Sequence, residues 1–157
     1  MMTIPCLRQI PSKNDAEFGA FIEWCDRNKR AILSEMQHSD GQAFVSALTF
    51  ESLFDVLFRF GGAEVYISSS KTTCGWLNNR LSSAEWERLV VNLGPGRFTL
   101  PSIKSVQAAL HRVAIRAMDA DGLQTGEIAR CTGTTTRWVR SVRARLRTER
   151  TQGAARA

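Results

Sequence analysis

The run Leu123-Gln124-Thr125-Gly126-Glu127-Ile128-Ala129-Arg130-Cys131-Thr132-Gly133-Thr134-Thr135-Thr136-Arg137-Trp138-Val139-Arg140-Ser141-Val142-Arg143 sets one glycine between two amphipathic segments. Counted from Thr125, Ile128 and Ala129 occupy the fourth and fifth positions, Gly133 the ninth, and Val139 and Val142 the fifteenth and eighteenth. Each residue meets a steric demand of a helix-turn-helix. A small side chain is needed where two helices cross, and Ala129 supplies it. Gly133 can take the positive φ of a tight turn, and the aliphatic residues pack the second helix back on the first. Thr134 or Thr135 is placed to cap that second helix.

Upstream, Ser102 is positioned to cap a long helix with Ile103, Val106, Leu110, Val113 and Ala117 on one stripe, closing at Asp121-Gly122. Residues 102–150 therefore read as a trihelical helix-turn-helix domain that binds DNA, and 151–157 as a flexible tail. Charge supports the division. Residues 1–101 hold 10 basic and 11 acidic side chains, a net of −1, whereas residues 102–157 hold 11 basic and 4 acidic, a net of +7. An electropositive end on a near-neutral body is the footprint of a module for polyanions.

The exposed face of the second helix carries Thr135, Thr136, Arg137, Arg140 and Ser141 at its N-terminal end, where a recognition helix meets base edges. Arg143, Arg145, Arg147 and Arg150 extend the charge and suit phosphates, which position a protein without reading sequence. Arginine in place of lysine favours bidentate contacts. The candidate DNA-binding set is thus Thr134, Thr135, Thr136, Arg137, Arg140, Ser141, Arg143 and Arg147. Simple capping is the competing role for Thr135 and Thr136, and a frayed tail for Arg147 and Arg150. Trp138 is expected in the core. An arginine-rich helix can also be just a solvated face, and the same helical shape occurs in protein-docking modules.

The first two thirds read as helices with two short strands. Asn14 and Glu17 stand in capping-box relation, ahead of an amphipathic helix through Phe18, Phe21, Ile22, Cys25, Ile32, Leu33 and Met36 that ends near Ser39-Asp40-Gly41. A second helical segment runs from Phe44 through Phe50, Phe54 and Phe58 to Phe60. So many rings need a core or a subunit contact. Gly61-Gly62 then stops the helix before the strand-like Val65-Tyr66-Ile67. Ser82 to Glu85 forms another capping box, and helix, glycine and strand recur at an offset of 33 residues: Leu53 with Trp86, Leu57 with Val90, Phe60 with Leu93, Gly61 with Gly94, Val65 with Phe98 and Ile67 with Leu100. Such short strands must pair with the other copy of the unit or with a second chain. Residues 1–101 are accordingly read as a dimerisation domain, with Phe54, Leu57, Phe58, Val65, Tyr66 and Ile67 at the contact.

Other functional classes find little support. No stretch approaches the length of apolar sequence that crosses a bilayer, and the first residues lack a basic region followed by an apolar one, so a soluble, unprocessed, cytoplasmic chain is expected. Cys6, Cys25, Cys74 and Cys131 form no C-x-x-C pair, which points to reduced structural thiols without metal or cofactor. His38 and His111 are isolated, the carboxylates occur singly, and no nucleophile elbow or phosphate-binding glycine loop is present. The chain is read as a binding protein, not an enzyme. A serine recombinase also ends in a helix-turn-helix, but the N-terminal part here is too short and lacks a serine amid clustered arginines.

Phe60-Gly61-Gly62-Ala63-Glu64-Val65-Tyr66-Ile67 and Leu93-Gly94-Pro95-Gly96-Arg97-Phe98-Thr99-Leu100-Pro101, followed by a helix and a helix-turn-helix, resemble the Mor family of transcription regulators from Mu-like phages over residues 48–147. Ser68 and Thr99 stand where that family has proline and tyrosine. The resemblance implies a homodimer with an N-terminal helical dimerisation region, a strand linking it to the DNA-binding region, and activation of phage promoters with host RNA polymerase. The expectation is a mainly α, homodimeric, sequence-specific regulator of double-stranded DNA. The alternative is a phage protein that modulates a host protein through its phenylalanine-rich region, keeping the C-terminal module as scaffold.

Overall fold

The computed structural model describes residues 4–5, 7–70, 77 and 79–155. Among them the chain is mainly helical: α1 (Phe18–Arg27), α2 (Lys29–Glu35), α3 (Ser39–Ala47), α4 (Phe50–Phe60), β1 (Glu64–Ile67), α5 (Ser83–Leu93), β2 (Gly96–Thr99), α6 (Ile103–Ala120), α7 (Thr125–Thr132) and α8 (Thr136–Ala154). Two compact units result, residues 25–109 and a second made of 1–24 with 110–157. The division falls inside α1 and inside α6. The reason lies in the N-terminal segment, which packs with the C-terminal helices: Leu7 is buried, and its carbonyl accepts a 2.8 Å bond from His111 Nε2.

Within residues 25–109 the repeat is a structural one. Helices α4 and α5 have equal length and start 33 residues apart, each behind a hydroxyl cap, Thr49 accepting from the Ser52 amide and Ser82 from the Glu85 amide. Their strands pair with each other, antiparallel, in the register Glu64 with Thr99, Val65 with Phe98, Tyr66 with Arg97 and Ile67 with Gly96. Val65 and Phe98 are equivalent positions of the repeat, so a local two-fold axis runs through that pair. Of the two partners the sequence allows, the strands take the in-chain one.

Glu85 closes the other end of the repeat. Its Oε2 accepts from the Ser82 amide at 2.9 Å, completing the expected capping box, while Oε1 accepts from the amide and hydroxyl of Thr49 at 3.0 and 3.1 Å. One buried carboxylate thus serves the N-terminal caps of both helices. Burial alone would push the Glu85 carboxyl up, but the Ser82 and Thr49 amides with the Ser52 and Thr49 hydroxyls together hold it below its ordinary value.

Helix α3 packs on α2, α4, α5 and β2. Its C-terminal carbonyls are satisfied by cations, Arg88 Nε donating to Ala47 O at 2.7 Å and Lys29 Nζ to Leu48 O at 3.1 Å. Lys29 also lies over the Phe50 ring, and burial lowers its pKa. Phe44, Phe50, Leu53, Phe54, Leu57, Ile67, Trp86 and Leu89 are buried, each contributing about 1.5–3 kcal/mol of transfer free energy.

Local expectations need correction at several points. The first helix does not start on an Asn14 cap; Asp15 closes a turn with Ser12, and α1 begins at Phe18. It breaks at Asn28, whose amide bonds three residues back to Cys25 O, and Ser39-Asp40-Gly41 opens α3 instead of ending a helix. The phenylalanine-rich segment is two helices, because Thr49 leaves the helical region at ψ 152° to cap α4. Gly62, at φ +82°, takes the left-handed step after α4; Gly61 has φ −54°, and a Cβ there would lie 2.7 Å from Leu57 O. Helix α8 runs on through residues 151–154.

Candidate nucleic-acid interface

The α7–α8 pair is built on the turn Gly133-Thr134-Thr135. Gly133 sits at φ +67° and ψ 23°, the left-handed region that a side chain disfavours. Ile128, Ala129, Val139 and Val142, the positions selected by spacing, are all buried, and Leu146 continues their stripe. The threonines divide the remaining tasks. Thr132 Oγ1 donates to Ile128 O at 2.8 Å and lies 2.8 Å from the half-buried Thr134 hydroxyl, which braces the turn. Thr135 caps α8 by accepting from the Trp138 amide at 3.2 Å. Thr136 is exposed, and Trp138 is half-buried.

The arginines of α8 fall into two sets. Arg143 belongs to the scaffold: Nη1 donates to Thr125 Oγ1 and Nη2 to Leu123 O, both at 2.6 Å, and Nε lies 2.7 Å from Asp119 Oδ1. That last contact is an ion pair poorly aligned for a hydrogen bond, since the buried Nε–H has no acceptor in line. Arg143 staples α8 to the end of α6 and the start of α7. Arg145 and Arg116 pair with Glu149 at 2.9 and 3.3 Å, and Arg150 lies 3.6 Å from Asp119. By contrast the side chains of Arg137, Arg140 and Arg147 are exposed and make no hydrogen bond or ion pair among the described residues.

At 100° per residue, the buried stripe Val139, Val142 and Leu146 faces away from Arg137, Arg140, Ser141, Ala144, Arg147 and Thr148. This outward face holds three unneutralised guanidinium groups and no carboxylate. Arg137 to Arg147 spans about 15 Å at 1.5 Å per residue, and Ala144 near its centre leaves room for close approach. Thr148 turns its hydroxyl back to Ala144 O at 3.2 Å. Five of the eight candidate residues, Thr136, Arg137, Arg140, Ser141 and Arg147, share this exposed side; Thr134, Thr135 and Arg143 hold the scaffold.

Two cations escaped the sequence reading. Arg130, in the last turn of α7, is exposed with no side-chain partner among the described residues. Arg8 lies against Gly133, where a Cβ would come within 2.6 Å of Arg8 Cα and overlap its side-chain stem. Arg130 was legible as a charge three residues before the turn; Arg8 was not, being 125 residues away in sequence.

Of the residues expected at a dimer contact, Phe54, Leu57, Val65 and Ile67 are buried within the chain, whereas Phe58 and Tyr66 are 51% and 60% exposed. His38 makes no capping bond at the start of α3, and His111 is occupied by Leu7 O. Burial raises the Cys25 thiol pKa, Cys131 is exposed, and Cys6 and Cys74 lie outside the described residues. An open hollow beside α3, lined by Ser34, Ser39, Ser46, Gln42 and Asn92 among others, holds no ionisable side chain. No helix among the described residues is long and apolar enough to cross a membrane, and no group of three metal-ligating side chains occurs there. No protein family, curated protein or solved structure matches the chain.

Proposed function

We propose that this chain binds double-stranded DNA through the outward face of α8, as a helix-turn-helix regulator of transcription acting as a homodimer. The observation that carries the reading is the carboxylate-free face bearing Arg137, Arg140 and Arg147, set beside the left-handed Gly133 turn. Thr136, Arg137, Arg140 and Ser141 lie at the N-terminal end, the part of a recognition helix that reaches base edges. Arg147 meets phosphate. Two such heads in a two-fold dimer select an inverted repeat whose half-sites lie about 10 base pairs, or a multiple, apart. The resemblance to Mor-type regulators adds phage promoters as targets and host RNA polymerase as partner.

Gel-shift on random duplex DNA followed by selection of bound sequences tests this directly. A recovered motif, with affinity falling by orders of magnitude between about 50 and 200 mM salt, is the expected result. Absence of duplex binding at low salt rejects it. That outcome would favour the second reading, in which the exposed Phe58 and Tyr66 engage another protein.

A further inference from the structure

We propose that the outward face of α8 reads guanine: Arg137 and Arg140 each donate to O6 and N7 of one guanine in the major groove, on adjacent or next-adjacent base pairs. The inference rests on the duplex-binding reading above and names the bases that face selects. Its basis is which side chains are present and which are missing. Between Gln124 and Gln152 the chain has no Asn or Gln, and between Glu127 and Glu149 it has no Asp or Glu. Adenine offers a donor beside an acceptor, matched by a side-chain amide, and cytosine offers a donor, matched by a carboxylate. Helix α8 carries neither kind of partner before Glu149, which is itself held by Arg116 and Arg145. What it does carry is guanidinium groups, whose parallel N–H donors fit the paired acceptors that only guanine presents in that groove.

Position separates these two arginines from the others. Arg137 and Arg140 are the second and fifth residues of α8, both exposed, and neither makes a hydrogen bond or ion pair among the described residues. They stand about 4.5 Å apart along the helix axis and about 60° apart around it. That separation lies between one and two of the roughly 3.4 Å steps of stacked base pairs. Arg137 lies opposite the buried stripe of Val139, Val142 and Leu146, and Ser141 and Ala144 on the same side are small enough to let this end of the helix sit deep in a groove. The backbone that carries both guanidinium groups is fixed by the Thr135 cap on the Trp138 amide at 3.2 Å and by the burial of Val139 and Val142. Arg147, about 10 Å beyond Arg140 along the axis, falls to phosphate.

The rival account is that Arg137 and Arg140 meet only phosphates, which carry no base preference. Selection of bound sequences with the parent protein, followed by base analogues in the recovered site, separates the accounts without altering the chain. The expected half-site has two guanines, on either strand, at adjacent or next-adjacent base pairs. Replacing either by 7-deazaguanine, which lacks the N7 acceptor, should weaken binding about tenfold. Inosine keeps O6 and N7 and lacks only the minor-groove amino group, so it should leave affinity within about twofold. In Arg137→Ala the 7-deazaguanine penalty should vanish at one of the guanines, and in Arg140→Ala at the other. A recovered site without the guanine pair, full affinity on 7-deazaguanine DNA, or penalties that persist in both variants would overturn the proposal and leave duplex binding standing. A parent protein that binds no duplex at low salt would sink the duplex-binding reading itself, and this inference with it.

Discussion

Arg140 and Arg143 stand three positions apart on α8 and serve opposite ends. Arg143 is mostly buried against Asp119, Thr125 and Leu123, so Arg143→Ala leaves the Asp119 carboxylate with the longer, exposed Arg150 pair at 3.6 Å and strands the Leu123 carbonyl. The expected loss is about 2–4 kcal/mol of stability, read by denaturant unfolding. Arg140→Ala and Arg137→Ala, both exposed, should change stability by less than about 0.5 kcal/mol yet weaken binding to a selected site by about 1–3 kcal/mol and relax base preference. Equal unfolding curves for all three variants would reject this division. Helical spacing in the sequence identifies the outward face, which is how Arg137, Arg140 and Ser141 were legible. It cannot reveal that Arg143 folds onto Asp119, because that carboxylate stands in the last turn of α6, 24 residues upstream.

Among the elements, the repeated helix–strand unit was the most legible feature, because its 33-residue offset returns apolar, glycine and strand residues to equivalent places. The second duty of Glu85 was hidden, since a capping box explains Ser82 but not the bridge to Thr49, 36 residues away. Helix breaks at Asn28 and Thr49 were likewise invisible to apolar periodicity, which continues through both. The Glu85 bridge makes stability depend on pH with a definite sign. Its folded pKa is lowered from the ordinary 4.5, so as acid is added the unfolded chain takes up the proton first. The stabilisation is complete above about pH 4.5 and disappears as pH falls through the lower folded value. Glu85→Gln, which retains acceptor oxygen but not charge, should cost about 1–3 kcal/mol at neutral pH. The difference from the parent should shrink toward pH 3. A difference that is constant from pH 7 to 3 would show that the charge on Glu85 is not what joins the two caps.

For the whole molecule, the pairing of β1 with β2 changes what a dimer can be made of. The two strands satisfy one another across the local two-fold at Val65 and Phe98, so a second chain is not needed to complete the ribbon. Open to a partner are the ribbon's outer edges and the exposed rings of Phe58 and Tyr66, with the Val91 side chain of α5 exposed as well. If those rings form the contact, light scattering at micromolar concentration should give twice the chain mass. The double variant Phe58→Ser, Tyr66→Ser should give the single mass with its unfolding midpoint nearly unchanged, because neither ring is buried in the chain's own core. The oligomeric state then dictates the form of the DNA site. A dimer carries two copies of the α8 face and selects an inverted repeat, whereas a chain that stays single selects one half-site, and no contact made by Arg137 or Arg140 can restore the missing symmetry. Selection of bound sequences with parent and double variant should accordingly recover a palindrome from the first and a lone half-site from the second. A palindrome from both would place the dimer contact elsewhere than on Phe58 and Tyr66.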